Sequence, residues 1–172
     1  MTSDQHIDQS SDQPVDQHSY RTTFVVDATP DDTFAAVNDV RGWWSEDLEG
    51  STDRVGAEYD FRGNHEGVNV HRARIRVTDL VPGQRVAWQV LDNEFTFTDD
   101  QSEWTGTSIV FELASVAGGT EIRFSHLGLL PAHECYDVCS NAWSGFLHDS
   151  LRRLVETGRG EPMQRLDVAA AS

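Results

Sequence analysis

Apolar positions along this chain follow two periods. Between residues 57 and 127 they fall at every second position, and between residues 135 and 156 they recur at steps of three and four. A period of two sends successive side chains to opposite faces of a strand, whereas steps of three and four gather them on one side of a helix. The first period predicts strands over residues 57–61, 71–80, 84–91, 105–113 and 120–127, with Pro82-Gly83 and Gly118-Gly119 as turns. The second predicts one long helix over 135–156, with Tyr136, Cys139, Trp143, Phe146, Leu147, Leu151, Leu154 and Val155 on its buried stripe and Gly158 as its stop. Upstream, the β-rich run 21–28 reads as a further strand. Thr29-Pro30-Asp31-Asp32 then supplies an N-cap, a proline at the first helical position and an acid three residues after the cap, so a helix starts at Pro30 with Phe34 and Val37 buried. A second helical turn follows over 40–44. The expected fold is α+β: a strand, two short helices, five strands and a long helix, with about six antiparallel strands covered by the C-terminal helix.

Alternation also assigns faces. Tyr59 and Phe61 oppose Glu58, Asp60 and Arg62, while Ala73, Ile75 and Val77 oppose Arg72, Arg74 and Arg76. Ile109, Phe111 and Leu113 oppose Ser108 and Glu112. One face is therefore dry and the other wet. The same phase puts His71 with Ala73 and Ile75, His126 with Ile122 and Phe124, and Trp88 with Val86 and Val90, all on the dry face. A single helix closing such a face leaves a space beside large side chains such as Trp143, and aromatic walls with a few polar groups suit a small-molecule site.

Composition narrows the function classes. The chain has 172 residues, 29 acids against 13 basic residues and a formal charge of −16, and all thirteen basic residues are arginine. That field repels phosphate backbones and anionic headgroups, which argues against nucleic acid and membrane surfaces as partners. No apolar run is long enough to span a bilayer. The start lacks a basic segment followed by an apolar core, so no secretory signal is read and a cytoplasmic location is expected. Cys135 and Cys139, four residues apart, suit a reduced compartment better than a disulfide framework. The first twenty residues repeat Asp-Gln at a spacing of four with almost nothing apolar, and are expected to be a disordered tail. Residues 21–162 then form one domain, and 163–172, ending in an alanine cluster, a frayed end.

Six sets of residues resemble a known family. Phe24-Val25-Val26-Asp27-Ala28-Thr29-Pro30-Asp31-Asp32-Thr33-Phe34, Gly42-Trp43-Trp44 and Leu80-Val81-Pro82-Gly83-Gln84-Arg85-Val86 are similar to the START-like, or SRPBCC, helix-grip superfamily. Trp104-Thr105-Gly106-Thr107, Gly119 to Phe124, and Trp143 with Ser150-Leu151-Arg152-Arg153-Leu154 resemble its bacterial branch related to activators of the heat-shock chaperone ATPase. The resemblance spans about residues 21–162. It implies a curved antiparallel sheet gripping the C-terminal helix with a hydrophobic cavity between them. Its members include lipid carriers, metabolite binders, cyclase-like enzymes and cochaperones, so fold alone does not choose an activity.

The residues expected to border the cavity are Tyr59, His71, Trp88, Trp104, Phe111, His126 and Trp143, with His126 as the polar tip that orients a ligand. No catalytic residue, cofactor or metal is assigned. His71 and His126 on one dry face read as hydrogen-bonding histidines rather than an acid and base. His133, Cys135 and Cys139 lack the paired spacing of a zinc site. His65 and Glu66 belong to a polar loop near the expected cavity mouth. No phosphate-cradling glycine loop, serine elbow or His-Glu-x-x-His helix is present. The favoured reading is binding of a small apolar ligand. The alternatives are a cyclase- or hydrolase-type enzyme using polar groups in the cavity, and a cochaperone-like module docking on a protein partner or a second copy of the chain.

Overall fold

The computed structural model describes residues 19–65 and 68–165. Chain order is β1 (Tyr20–Val26), α1 (Pro30–Asn38), α2 (Val40–Trp43), β2 (Leu48–Gly50), β3 (Glu58–His65), β4 (Val68–Val81), β5 (Arg85–Phe95), β6 (Ser108–Val116) and β7 (Gly119–Leu127). A C-terminal helix completes it in three stretches: α3 (Tyr136–Gly145), a π-helical turn over Phe146–Leu151, and α4 (Arg152–Thr157). The strands form one antiparallel sheet in the order β1-β7-β6-β5-β4-β3-β2. The sheet curves around the C-terminal helix, which is the helix-grip architecture.

Local chemistry sets the element ends. Thr29 accepts a hydrogen bond from the Asp32 N–H at 3.1 Å, Pro30 occupies the first turn, and Asp31 and Asp32 lie at the positive end of the α1 dipole. Gly158 takes a left-handed φ of 87° and ends α4. Gly119 turns the β6–β7 hairpin with a φ of 141°, and a Cβ there would collide with the Val26 carbonyl.

The dry face is as phased. Tyr59, Phe61, Ala73, Ile75, Val77, Val86, Trp88, Val90, Ile109, Phe111, Ile122 and Phe124 are all buried. The wet face carries a ladder of ion pairs between neighbouring strands, Arg72–Asp92, Arg74–Glu58, Arg74–Asp60 and Arg76–Glu58. Exposed pairs of this kind add little stability each. They do fix which arginine meets which acid across the strands.

Three expectations change in detail. There are seven strands among the described residues, not about six, because Leu48–Gly50 pairs with β3 through only three residues and has no alternation to detect. β5 runs on past the expected end at residue 91 to Phe95 through Asp92-Asn93-Glu94, a polar triplet that pairs with Arg74, Ala73 and Arg72. The helix expected over 135–156 contains the π-helical turn, where Leu147, Ser150 and Leu151 are fully buried. At that turn the Ser150 hydroxyl donates to the Trp43 carbonyl at 2.7 Å and accepts from the Glu161 N–H at 2.7 Å, which clamps the helix to α2 and to the chain beyond it. One extra residue per turn rotates the side chains that follow, so a serine needed for this clamp and the leucines on either side all face inward.

Candidate functional site

The register of the sheet defines the floor of a cavity. Gly63 pairs with His71, and His71 pairs with Phe95, so these three residues form one row across β3, β4 and β5. Above that row, beneath α3, lies a cavity of about 490 Å³. Phe61, Asn64, His71 and Phe95 face it from the sheet, and Val138, Cys139, Ala142, Trp143 and Phe146 from the helix. Phe97 and Trp104, from the segment joining β5 to β6, form a side wall, and Trp44 and Met163 line the cavity as well. Met163 is held there because Ser45 and Met163 form a parallel bridge, with the Glu46 N–H donating to the Met163 carbonyl at 2.8 Å. The chain from Met163 to Arg165, expected to fray, is thus docked beside the cavity. Residues 166–172, like residues 1–18 with their Asp-Gln repeat, lie outside the described residues.

The walls are aromatic and locked to one another. Trp104 and Trp143 are nearly parallel, with ring centres 5.9 Å apart and planes at 5°. Trp44 lies 4.0 Å from Phe61 and 4.8 Å from Trp143. His126 holds this group from behind. The Trp143 indole N–H donates to His126 Nδ1 at 3.0 Å, so Nδ1 is unprotonated and Nε2 carries the hydrogen, which it donates to Thr107 Oγ1 at 2.9 Å. The Thr107 hydroxyl in turn donates to the Trp104 carbonyl at 2.6 Å. Both ring nitrogens are spoken for, and burial pushes the His126 pKa down to about 3, with the nearby His133 adding to the effect.

The N-terminus of α3 is fastened to the same side wall. Cys135, at its N-cap, offers no side-chain cap, and Glu103 substitutes: its carboxylate accepts the Glu134 N–H at 2.8 Å and the Cys135 N–H at 3.0 Å. The Asp99 N–H donates back to Glu134 at 2.9 Å. Acids at a helix start satisfy unpaired N–H groups and favour the dipole. Sequence spacing gives no hint of this cap, because Glu103 is some thirty residues away from the amides it serves.

His71 and Asn64 are the polar side chains that face the cavity from the sheet, and the Asn64 amide donates to the Gln164 carbonyl at 3.0 Å. Gly63 makes room for His71, since a Cβ at that position would collide with the imidazole. A β-bulge between Gly63 and Asn64 shifts the register at the same point. Phe61, Phe95 and Phe97 surround the ring at centre distances of 5.4, 5.6 and 6.0 Å. Its Nδ1 is buried with no hydrogen-bond partner among the described residues. Desolvation lowers its pKa to about 4, so the ring is neutral at pH 7.

Of the seven residues expected at the cavity, three line it: His71, Trp104 and Trp143. Tyr59, Trp88, Phe111 and His126 instead lie in the packed core next to it, each at most 1% exposed. Strand phase gives the face but not the row. Tyr59 pairs with Ile75 and Trp88 with Val77, further along the sheet than the Gly63–His71–Phe95 row. His126 belongs to the Trp88 row through Ile109, and its role is to hold Trp143 rather than to reach the cavity. Burial raises the Tyr59 phenol well above its ordinary pKa, and its hydroxyl has no partner among the described residues. Sequence reasoning missed Phe95, Phe97 and Met163, which lie beyond predicted element ends, and Trp44, the last residue of the turn predicted over 40–44. Phe61, Cys139 and Phe146 were on the right faces and needed only the row.

His133 Nδ1 accepts the Leu130 N–H at 3.2 Å. Cys135 and Cys139 are free and buried. A hydrogen bond to Cys139, then burial, pushes the Cys135 thiol far up, which disfavours the thiolate that a metal or an electrophile needs. Among the described residues no group of three or more His, Cys, Asp or Glu side chains is placed to hold a metal ion. Glu66 lies outside the described residues, as does the side chain of His65.

No curated protein sequence matches the chain. Among solved structures, it resembles the Aha1 dimer from Colwellia psychrerythraea, with 25% identity, 83% of this chain and 98% of that one covered, and a TM-score of 0.63. Protein CV1439 from Chromobacterium violaceum shares 19% identity over 80% of this chain and 97% of its own, with a TM-score of 0.58. Protein MLL2253 from Mesorhizobium loti shares 13% over 80% and 95%, with a TM-score of 0.62, a likeness of fold alone. The profile of the family described as activator of Hsp90 ATPase homolog 1-like protein matches residues 27–156. The chain belongs to that family.

Proposed function

We propose that this protein binds a small apolar ligand in the cavity between its sheet and α3. The observation that carries the reading is the cavity itself: about 490 Å³ enclosed by aromatic and aliphatic side chains. Small-molecule sites are concave, largely apolar spaces of this size with few polar groups. The locking of Trp143 by His126 and of α3 by Glu103 supports it, because walls held in place before binding lose less entropy when a ligand arrives.

Cyclase or hydrolase chemistry would need an acid and a base within reach of one bound atom. His71 is the single imidazole among the described lining residues, and no carboxylate joins it among them. Docking on a partner protein draws only on the family description and on the dimer named for the Colwellia protein. No helix among the described residues is long and apolar enough to cross a membrane. With both thiols reduced and a charge of −16, we place the protein in the cytoplasm and leave nucleic acid out of its partners.

Native mass spectrometry of protein purified from its own host tests the reading. A copurified molecule bound one per chain and released on acid unfolding is the expected result. A bare chain, together with no shift in melting temperature on adding naphthalene or comparable apolar compounds, would overturn it.

A further inference from the structure

Resting on that reading, we infer that the cavity selects an electrically neutral ligand carrying one hydroxyl or carbonyl, and that His71 is the residue that reads this group. Every basic residue of the chain is an arginine, and among the described residues none lines the cavity; neither does any aspartate or glutamate among them. A carboxylate or ammonium moved from water into such walls would lose its hydration with no counter-charge in return, which disfavours both. The field of a protein with a charge of −16 opposes an anionic ligand further.

A purely hydrocarbon ligand leaves another cost in place. His71 Nδ1 and the Trp104 indole Nε1 are both buried without hydrogen-bond partners among the described residues, and both belong to lining side chains. A buried polar atom left unpaired is unfavourable, and a group that pairs it recovers that loss on binding. Gly63 shows that the imidazole's position is specified, because any larger residue there would push the ring away from the floor. A hydroxyl both donates and accepts, so it pairs with neutral imidazole in either tautomer, and a carbonyl pairs with the one that presents N–H. Size sets the scale. A ligand filling about 490 Å³ at the density of a protein–ligand contact has two or three rings, and the near-parallel Trp104 and Trp143 favour flat ones.

The test is a matched series titrated by calorimetry into the full chain: naphthalene, 2-naphthol, 2-naphthoate and 2-naphthylmethylammonium. Wild type is expected to bind 2-naphthol about tenfold more tightly than naphthalene, the gain of one hydrogen bond to a buried polar atom. Both ions are expected to bind more weakly than naphthalene. His71→Phe should abolish the preference, 2-naphthol and naphthalene binding the variant equally within about twofold, and a cooperative melting transition shows that the variant is folded. Equal affinity for 2-naphthol and 2-naphthoate, or a His71→Phe variant that keeps the preference for 2-naphthol, would overturn the inference while leaving apolar binding intact. If none of the four binds, the cavity reading falls, and this inference with it.

Discussion

Replacing His126 by Phe should weaken the fold, although the residue lies beside a cavity expected to bind a ligand. The substitution removes the acceptor of the Trp143 indole N–H and the donor to Thr107. Thr107 keeps its bond to the Trp104 carbonyl, so it loses only an incoming hydrogen. The Trp143 N–H, on a residue 2% exposed, is left unpaired, which costs about 1–3 kcal/mol. The phenyl ring is also larger than imidazole and enters a site with no exposed surface, which adds about 1 kcal/mol or more. A total loss of about 2–4 kcal/mol is expected, a large part of the stability of a domain this size. Urea unfolding at fixed salt, followed by circular dichroism, measures it directly. In a double-mutant cycle with Trp143→Phe, which removes the orphaned donor, a coupling of about 1 kcal/mol or more is expected. A His126→Phe variant within about 0.5 kcal/mol of wild type, or a coupling near zero, would refute the reasoning that His126 holds Trp143.

Other outcomes can be checked alongside. An unfolded histidine takes up its proton near pH 6.5, whereas folding holds His126 at about 3 and His71 at about 4. Between these values the unfolded state binds more protons, so stability is lost as pH falls from about 6.5, by at most about 1.4 kcal/mol per pH unit for each histidine. Urea midpoints from pH 7 to pH 5 should show this decline, and a His126→Phe variant with the same slope as wild type would contradict it. Gly63→Ala puts a Cβ into the His71 ring and should cost about 1–3 kcal/mol by equilibrium unfolding, with an unchanged midpoint as the contrary result. Ala142→Trp places a large ring at the exposed side of the cavity and should weaken naphthalene binding by about tenfold or more without lowering the melting temperature, as titration calorimetry and a thermal scan would show. Cys135 should resist a thiol reagent such as Ellman's until the chain unfolds, and reaction within seconds in the native protein would contradict its burial and raised pKa.

Much of this fold was legible because the two periods are strong and local. Alternation through Tyr59–Phe61, Ala73–Val77 and Ile109–Leu113 assigned faces that the sheet keeps, and the Thr29-Pro30 cap placed α1 to the residue. The site was less legible. A phase of two cannot say which row of a sheet a side chain occupies, so Trp88 and His71 looked equivalent although one is core and the other cavity floor. Phe95 was lost behind Asp92-Asn93-Glu94, whose strand character comes from arginines on the neighbouring β4. Leu48–Gly50 and Met163 are held by pairing with distant segments, Phe61–Tyr59 and Ser45, and a three-residue strand or a single bridge leaves no periodic trace. The π-helical turn depends on Ser150 meeting the Trp43 carbonyl, again a long-range contact.

The five tryptophans give the most direct test of the central claim, that the space beneath α3 is where a ligand binds. Their indole N–H groups can be followed one by one in a nitrogen-15 correlation spectrum during a titration with 2-naphthol. Trp44, Trp104 and Trp143 line the cavity, while Trp43 donates its N–H to the Val37 carbonyl at 3.1 Å away from it, and Trp88 lies in the core. Saturable shifts largest at Trp44, Trp104 and Trp143, with Trp43 unmoved, are expected. Shifts centred on Trp43, or five indole signals that stay in place while the ligand binds, would show that the ligand sits elsewhere and that the cavity is not its site.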